Sequence, residues 1–172
     1  MPVLMPTARL WKQLGAPYPL APIAPTADSV LGDWSLKSTD VRQGRFIVGV
    51  NERTLMAVVF AKRPLSKLVD TLSACVGAQL AVFGIPDERI AAEVSALRSA
   101  TFGKNRARSL LGILNEVAFQ FEVAAADSEI ASPSELLEIQ TQLNGIPHRA
   151  SSPACLFAHA AIVGLLGNQT FH

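Results

Sequence analysis

The chain has 172 residues, a formal net charge of +1 and only two cysteines. One domain with a full hydrophobic core is the default at that length, and a near-zero charge excludes the broad basic field of most nucleic-acid binders. Hydrophobic residues make up 49% and charged residues 17%, with a mean hydropathy of +0.30; typical soluble domains carry about 25% charge, so either burial is unusually complete or an apolar patch is covered in an oligomer, with a homodimer the preferred reading and a protein partner a further one.

The opening MPVLMPTARLWKQLG lacks the basic-then-apolar order of a secretory leader. Thr7 to Leu14 reads as a short helix with Leu10, Trp11 and Leu14 on one face, stopped by Gly15. Residues 16–25 carry prolines at 17, 19, 22 and 25. Proline fixes φ and has no N–H to donate, so this is an extended connector within a single domain spanning residues 1–172. Three antiparallel strands follow, at about residues 34–38, 44–50 and 54–60, with Asn51-Glu52-Arg53 as a tight turn. TLMAVVF (54–60) is apolar nearly throughout and should be covered on both faces.

The remainder reads as helices. Pro64 opens one that runs to Phe83, with Leu65, Leu68, Val69, Leu72, Val76 and Leu80 on one stripe. Another runs from Pro86 to Leu97, with Asp87 and Glu88 at its positive end. Residues 98–102 fit a short strand or a loop. Ser109 to Val123 is amphipathic, with Ser109 as a cap. Ser132-Pro133-Ser134-Glu135 is a capping box opening a helix to Leu143. A last helix starts at Ser152 or Pro153 and ends near Leu166; its apolar run, Ala154 to Leu166, is too short to span a bilayer. The expected architecture is α+β: a small antiparallel sheet of three to four strands packed by several helices. No membrane attachment is expected, and the chain is placed in the cytoplasm.

Four segments occur in order: LGDW at 31–34, NERTL at 51–55, RSLLGILNEVAF at 108–119 and LNGIP at 143–147. Together they resemble the pattern of a family of small prokaryotic proteins of unknown function, and TARLWKQLG is similar to that family's first helix. The resemblance spans most of the chain and implies a shared fold but no activity. The chain departs from the pattern at Leu114, where methionine is expected, at Glu116, where aspartate is expected, and after Trp34, where SLK replaces a tyrosine-alanine-asparagine run.

Candidate site residues centre on Arg108, Ser109, Asn115 and Glu116, where cationic, amide and carboxylate groups meet at helical spacing. Asn115 shares a face with Leu111 and Ala118 and is expected to point inward, while Glu116, rotated about 100° from it, sits nearer the edge. Arg53 could reach over to pair with Glu116. The bland reading is a polar brace; the functional one is an anion or small-ligand site at the helix N-terminus, with acid–base work by Glu116 as a further alternative. Trp34 reads as a core anchor or a stacking platform. Arg98, Lys104, Arg106 and Arg108 form a local basic cluster, better read as solvated than as a phosphate site, so nucleic acid is not expected as a partner. His148, Cys155 and His159 are the one ligand-like group, with Cys155 and His159 four apart on the last helix. They lack a fourth ligand for zinc, so no metal is assigned and no cofactor is expected. Cys75 and Cys155 are expected as buried free thiols.

The function stays unknown at this level. The reading preferred is a non-catalytic binding or interaction protein acting through an apolar surface as a homodimer. The alternative is a small ligand-binding or hydrolase-like enzyme around Arg108, Asn115 and Glu116.

Overall fold

The computed structural model describes residues 1–15, 29–62, 64–104, 108–130, 132–149 and 155–167; the connector expected at residues 16–25 lies outside them. The elements are β1 (Val3–Pro6), α1 (Ala8–Leu14), β2 (Trp34–Val41), β3 (Gly44–Asn51), β4 (Ala57–Ala61), α2 (Leu68–Val82), α3 (Asp87–Arg98), β5 (Thr101–Phe102), α4 (Arg108–Ala126), α5 (Pro133–Asn144), β6 (His148–Arg149), β7 (Cys155–Leu156) and α6 (Ala158–Ile162). A 3-10 turn, Leu65–Lys67, leads into α2, and a π-helical turn, Val163–Gly167, follows α6.

Side-chain alternation along β3 and β4 sets the layering. Ile47, Val58 and Phe60 face one core with α2, α3 and α6; Phe46, Val48, Val50, Ala57 and Val59 face the other with α4 and α5. Successive strand residues point to opposite faces, so a run apolar at every position needs cover on both. The expectation for TLMAVVF is met in this respect, although its strand starts only at Ala57. The turn before it is longer than expected. Leu55 takes a left-handed φ of +58° there, a conformation costing roughly 1–2 kcal/mol, and still buries its side chain in the second core.

The α+β class holds, but the sheet has five strands, in the order β4-β3-β2-β1-β5, and is mixed. β2, β3 and β4 form the expected antiparallel meander. β1 is parallel to β2, and β5 is parallel to β1. Neither added strand has enough residues to show a period. They are fixed by distant groups: the Val3 N–H donates to Asp33 Oδ1 at 2.8 Å, and the Gly103 N–H donates to the Leu4 carbonyl at 2.8 Å.

Three corrections concern the helices. Ser109 lies inside the first turn of α4 rather than capping it. The helix expected from residues 152–153 begins only at Ala158, and Cys155 belongs to β7. By contrast the capping box at Ser132 and Glu135 forms as expected.

A polar frame holds these layers. The Asn51 side chain is fully buried; its Nδ2 donates to the Leu31 and Asp33 carbonyls, and its Oδ1 accepts from the Arg53 and Thr54 N–H groups. Glu93 of α3, 1% exposed, accepts from Ser29 Oγ and the Val30 and Leu31 N–H groups. Gly49 makes room for this corner: a Cβ there would lie 2.9 Å from Leu36 Cδ2 and 3.0 Å from Val58 Cγ2.

The free edge of β4 is sealed by side chains. Asn144 Oδ1 accepts from the Ala57 N–H at 2.7 Å, and Asn144 Nδ2 donates to the Ala57 carbonyl at 2.8 Å. Gln140 Oε1, one turn earlier on α5, accepts from the Val59 N–H at 2.8 Å, and its Nε2 donates to Gln79 of α2. Two amides at i and i+4 thus stand in for a missing strand, which removes an edge that would otherwise recruit another chain. Asn144→Ala leaves both Ala57 backbone groups buried without partners, each costing about 1–3 kcal/mol. The expected loss is about 2–5 kcal/mol, read from the urea midpoint at unchanged slope; a loss under about 1 kcal/mol would show that the amide does not seal the edge.

Candidate functional site

The strands of the parallel half end at different heights. Phe102, the last residue of β5, pairs with Leu4, whereas β1 continues to Pro6, opposite Leu36, and β2 runs on to Val41. A step therefore opens beside β2 just past Leu36. The chain leaves this step in two directions. After β1 it turns into α1, whose Leu10 joins the first core; after β5 it passes through Gly103 and Lys104 toward α4, which covers the opposite face. Connections that diverge to opposite faces from adjacent parallel strands leave a crevice at the strands' carboxyl ends, where open α/β sheets place ligands.

A cleft of about 610 Å³ occupies this position, lined by Pro6, Thr7, Ala8, Trp11, Lys12, Lys104, Leu111 and Asn115. Its volume suits a small molecule. The wall is apolar along Pro6, Trp11 and Leu111. Asn115 Oδ1 accepts from Lys37 Nζ at 2.8 Å, which brings a third ammonium to the rim beside Lys12 and Lys104. Among the described residues no carboxylate lines the cleft, and none lies within ion-pair distance of these three lysines.

Lys37 stands there because of the pleat. On β2, Trp34 and Leu36 face the first core, so Ser35, Lys37 and Thr39 face α4. That face of β2 is polar and meets polar groups of α4: Lys37 bonds Asn115, and Thr39 Oγ1 donates to Glu122. Gln43 Nε2 adds bonds to the Ala125 and Ser128 carbonyls.

The structure separates the residues expected to form one site. Asn115 lies in the cleft, but it is exposed at the rim rather than turned inward as a brace. Its partner Leu111 is itself at the rim, so the face they share is the cleft wall and not the core. Ser109 is exposed in the first turn of α4, and the side chain of Arg108 lies outside the described residues. Trp34 is completely buried against the first core, which withdraws it as a stacking platform. Arg53 is at the amino ends of the strands, where Nη1 donates to the Val30 carbonyl at 2.8 Å; it does not reach α4 as expected. Lys12 and Lys37 were not singled out by spacing or motif, and Trp11 was placed only on the apolar face of the first helix. Lys104 appeared only as one member of the basic cluster. What brings them together is the step between strands, for which a linear sequence has no marker.

Glu116 points to a different place. Its Oε2 lies 4.0 Å from Nδ1 of His148, which is 3% exposed and has no hydrogen-bond partner on either ring nitrogen among the described residues. Burial pushes the His148 pKa below its ordinary 6.5, and the Glu116 carboxylate pulls it partly back. Of the ligand-like group noted with Cys155 and His159, Cys155 is on β7 rather than the last helix and its side chain lies outside the described residues, while His159 is exposed on α6, its ring 4.9 Å from that of Phe83. Among the described residues no group of three metal-ligating side chains converges. Cys75 is a free thiol, half-buried, raised to about 11 by burial. It therefore stays protonated at neutral pH and is a weak nucleophile.

A family model described as a domain of unknown function, DUF6933, matches residues 3–155, and the chain belongs to that family. No curated protein and no solved structure matches the chain.

The His148 environment gives a pH dependence. A histidine whose folded pKa lies below its unfolded value of about 6.5 contributes stability that is complete above that value and is lost as pH falls through the folded pKa. The melting temperature of the wild type should fall between pH 6.5 and 5 by more than that of His148→Phe, which cannot protonate there. Parallel curves for the two proteins would remove His148 as the cause.

Proposed function

We propose that the chain is a small-molecule-binding protein that holds an amphipathic anion in the cleft at the carboxyl ends of β1 and β5. The observation that carries this reading is the lining itself: two ammonium groups, Lys12 and Lys104, and the Asn115 amide on an apolar wall, with the Lys37 ammonium held on that amide and no neutralising carboxylate among the described residues. Uncompensated cations at the mouth of a low-dielectric cleft raise the local concentration of anions. The apolar wall recovers hydrophobic free energy from the rest of the ligand. The same residues offer hydrogen-bond donors but no histidine or carboxylate to carry a proton, which supports binding over turnover.

The probe for this reading is 8-anilinonaphthalene-1-sulfonate, an aromatic anion. The expected result is saturable one-to-one binding that quenches tryptophan emission in the wild type, with that quenching largely lost in Trp11→Phe because Trp34 lies outside the cleft. Lys12→Glu/Lys104→Glu should weaken binding at least about tenfold, and Lys67→Glu, in the turn that leads into α2 and outside the cleft lining, should not. Equal binding by all four proteins would move the site elsewhere.

A second reading, self-association through α4, has its own observation. Phe119 and Val123 are 64% and 51% exposed. They continue the ridge begun by Leu111 and Asn115 in steps of four residues, which lie one above another on a helix. Large apolar side chains in sequence on one exposed ridge mark a contact surface more often than isolated ones do. Light scattering should show a dimer insensitive to salt that dissociates in Phe119→Glu/Val123→Glu. A wild-type monomer up to high micromolar concentration would leave the ridge without this role.

A further inference from the structure

Resting on the cleft reading above, we infer that the ligand is a phosphate monoester carrying a planar ring, its phosphate between Lys12, Lys37 and Lys104 and its ring against Trp11 and Leu111. The charge count comes first. Two ammonium groups line the cleft, Lys12 from α1 and Lys104 from the segment after β5, and a third, Lys37 from β2, is bonded to the lining residue Asn115 with further N–H donors to offer. None has a carboxylate partner among the described residues. A monoanion leaves most of that charge uncompensated, whereas a dianion with three terminal oxygens offers one acceptor to each cation.

Geometry narrows the anion further. Lysine is a compact point charge with rotatable donors, suited to a tetrahedral oxyanion approached from several sides; planar carboxylates are better matched by the fork of arginine. The Asn115 amide adds a donor. Its Oδ1 is already occupied by Lys37 Nζ, so its Nδ2 hydrogens are the part left for a ligand. Thr7, at the end of β1, contributes a hydroxyl, which makes no capping bond to α1.

The rest of the cleft selects the body. Trp11 is half-buried beside Lys12, and Leu111 of α4 lines the same cleft. An indole face and a leucine side chain make a flat apolar slot, which fits a ring better than a hydroxylated chain. About 610 Å³ leaves ample space for one ring plus a phosphate.

The experiment displaces bound 8-anilinonaphthalene-1-sulfonate with phenyl phosphate, benzoate and inorganic phosphate. Phenyl phosphate should compete at a concentration at least about tenfold below either of the others. Its advantage over benzoate should shrink several-fold between pH 7.5 and 5, where the phosphate, with a second pKa near 6, becomes a monoanion. Lys12→Ala/Lys104→Ala should abolish the advantage, and Lys67→Ala should leave it intact. If the sulfonate occupies the cleft but benzoate competes as well as phenyl phosphate, the phosphate assignment is wrong while the cleft reading stands. If inorganic phosphate matches phenyl phosphate, the ring assignment is wrong. If the sulfonate does not bind in the cleft at all, both readings fall together.

Discussion

The buried amide of Asn51 is the joint on which the cleft depends, although it lies at the opposite end of the strands. Its Nδ2 grips the Leu31 and Asp33 carbonyls, and its Oδ1 grips the turn that follows β3. That fixes Asp33, whose carboxylate accepts from the Val3 N–H and so starts β1 in register beside β2. A four-residue strand cannot by its own pairing offset the entropy of ordering its backbone. Anchored at Val3, it ends at Pro6, and that ending creates the step in which the cleft opens. Glu93 fastens the same segment from α3, so a carboxylate and an amide from two distant elements hold one short stretch of backbone.

The sheet joins two halves with different needs. The antiparallel half, β2 to β4, is apolar on both faces at β3 and β4 and needs helices on each side. The parallel half is short, and its strands are used mainly for where they end. Covering both faces forces the connections after β1 and β5 to diverge, so the demand for burial also places the crevice. α4 serves both ends of this arrangement. Its inner stripe, from Leu110 to Ala125, packs the second core, while Leu111 and Asn115 form one wall of the cleft. The exposed Phe119 and Val123 lie further along that helix.

Polar groups in this protein follow a division of labour that burial makes visible. Asn51, Gln140, Asn144 and Glu93 are buried, and each bonds backbone groups, with Gln140 also bonding Gln79 and Glu93 also Ser29. Loss of any of them leaves orphans, so their value is the avoided desolvation cost rather than the bond itself. The lysines of the cleft are different. Lys12 and Lys104 are exposed and hold no backbone, which leaves them free to meet a ligand at little cost to the fold. His148 belongs to neither group, being buried with both nitrogens unmatched.

The sequence by itself determined the local elements whose signals are local. The capping box at Ser132, the stripe from Leu68 to Leu80 and the continuous apolar run of β4 each follow from nearest-neighbour chemistry, and each is present. It also placed Asn115 among the site residues, but with the wrong orientation, because helical periodicity says which residues share a face and not what that face meets. Only the tertiary structure decided the rest. β1 and β5 are too short to carry a period and exist through pairing across the chain. Trp34 reads from the sequence as an anchor ahead of a ring platform, and the closing of the first core over it leaves only the anchor. Lys12, Lys37 and Lys104 are separated by 25 and 67 residues, and no spacing rule relates them; the unequal ends of three parallel strands bring them to one rim. Convergence of that kind is a property of strand register, which is set by distant hydrogen bonds and by the need to bury two faces at once.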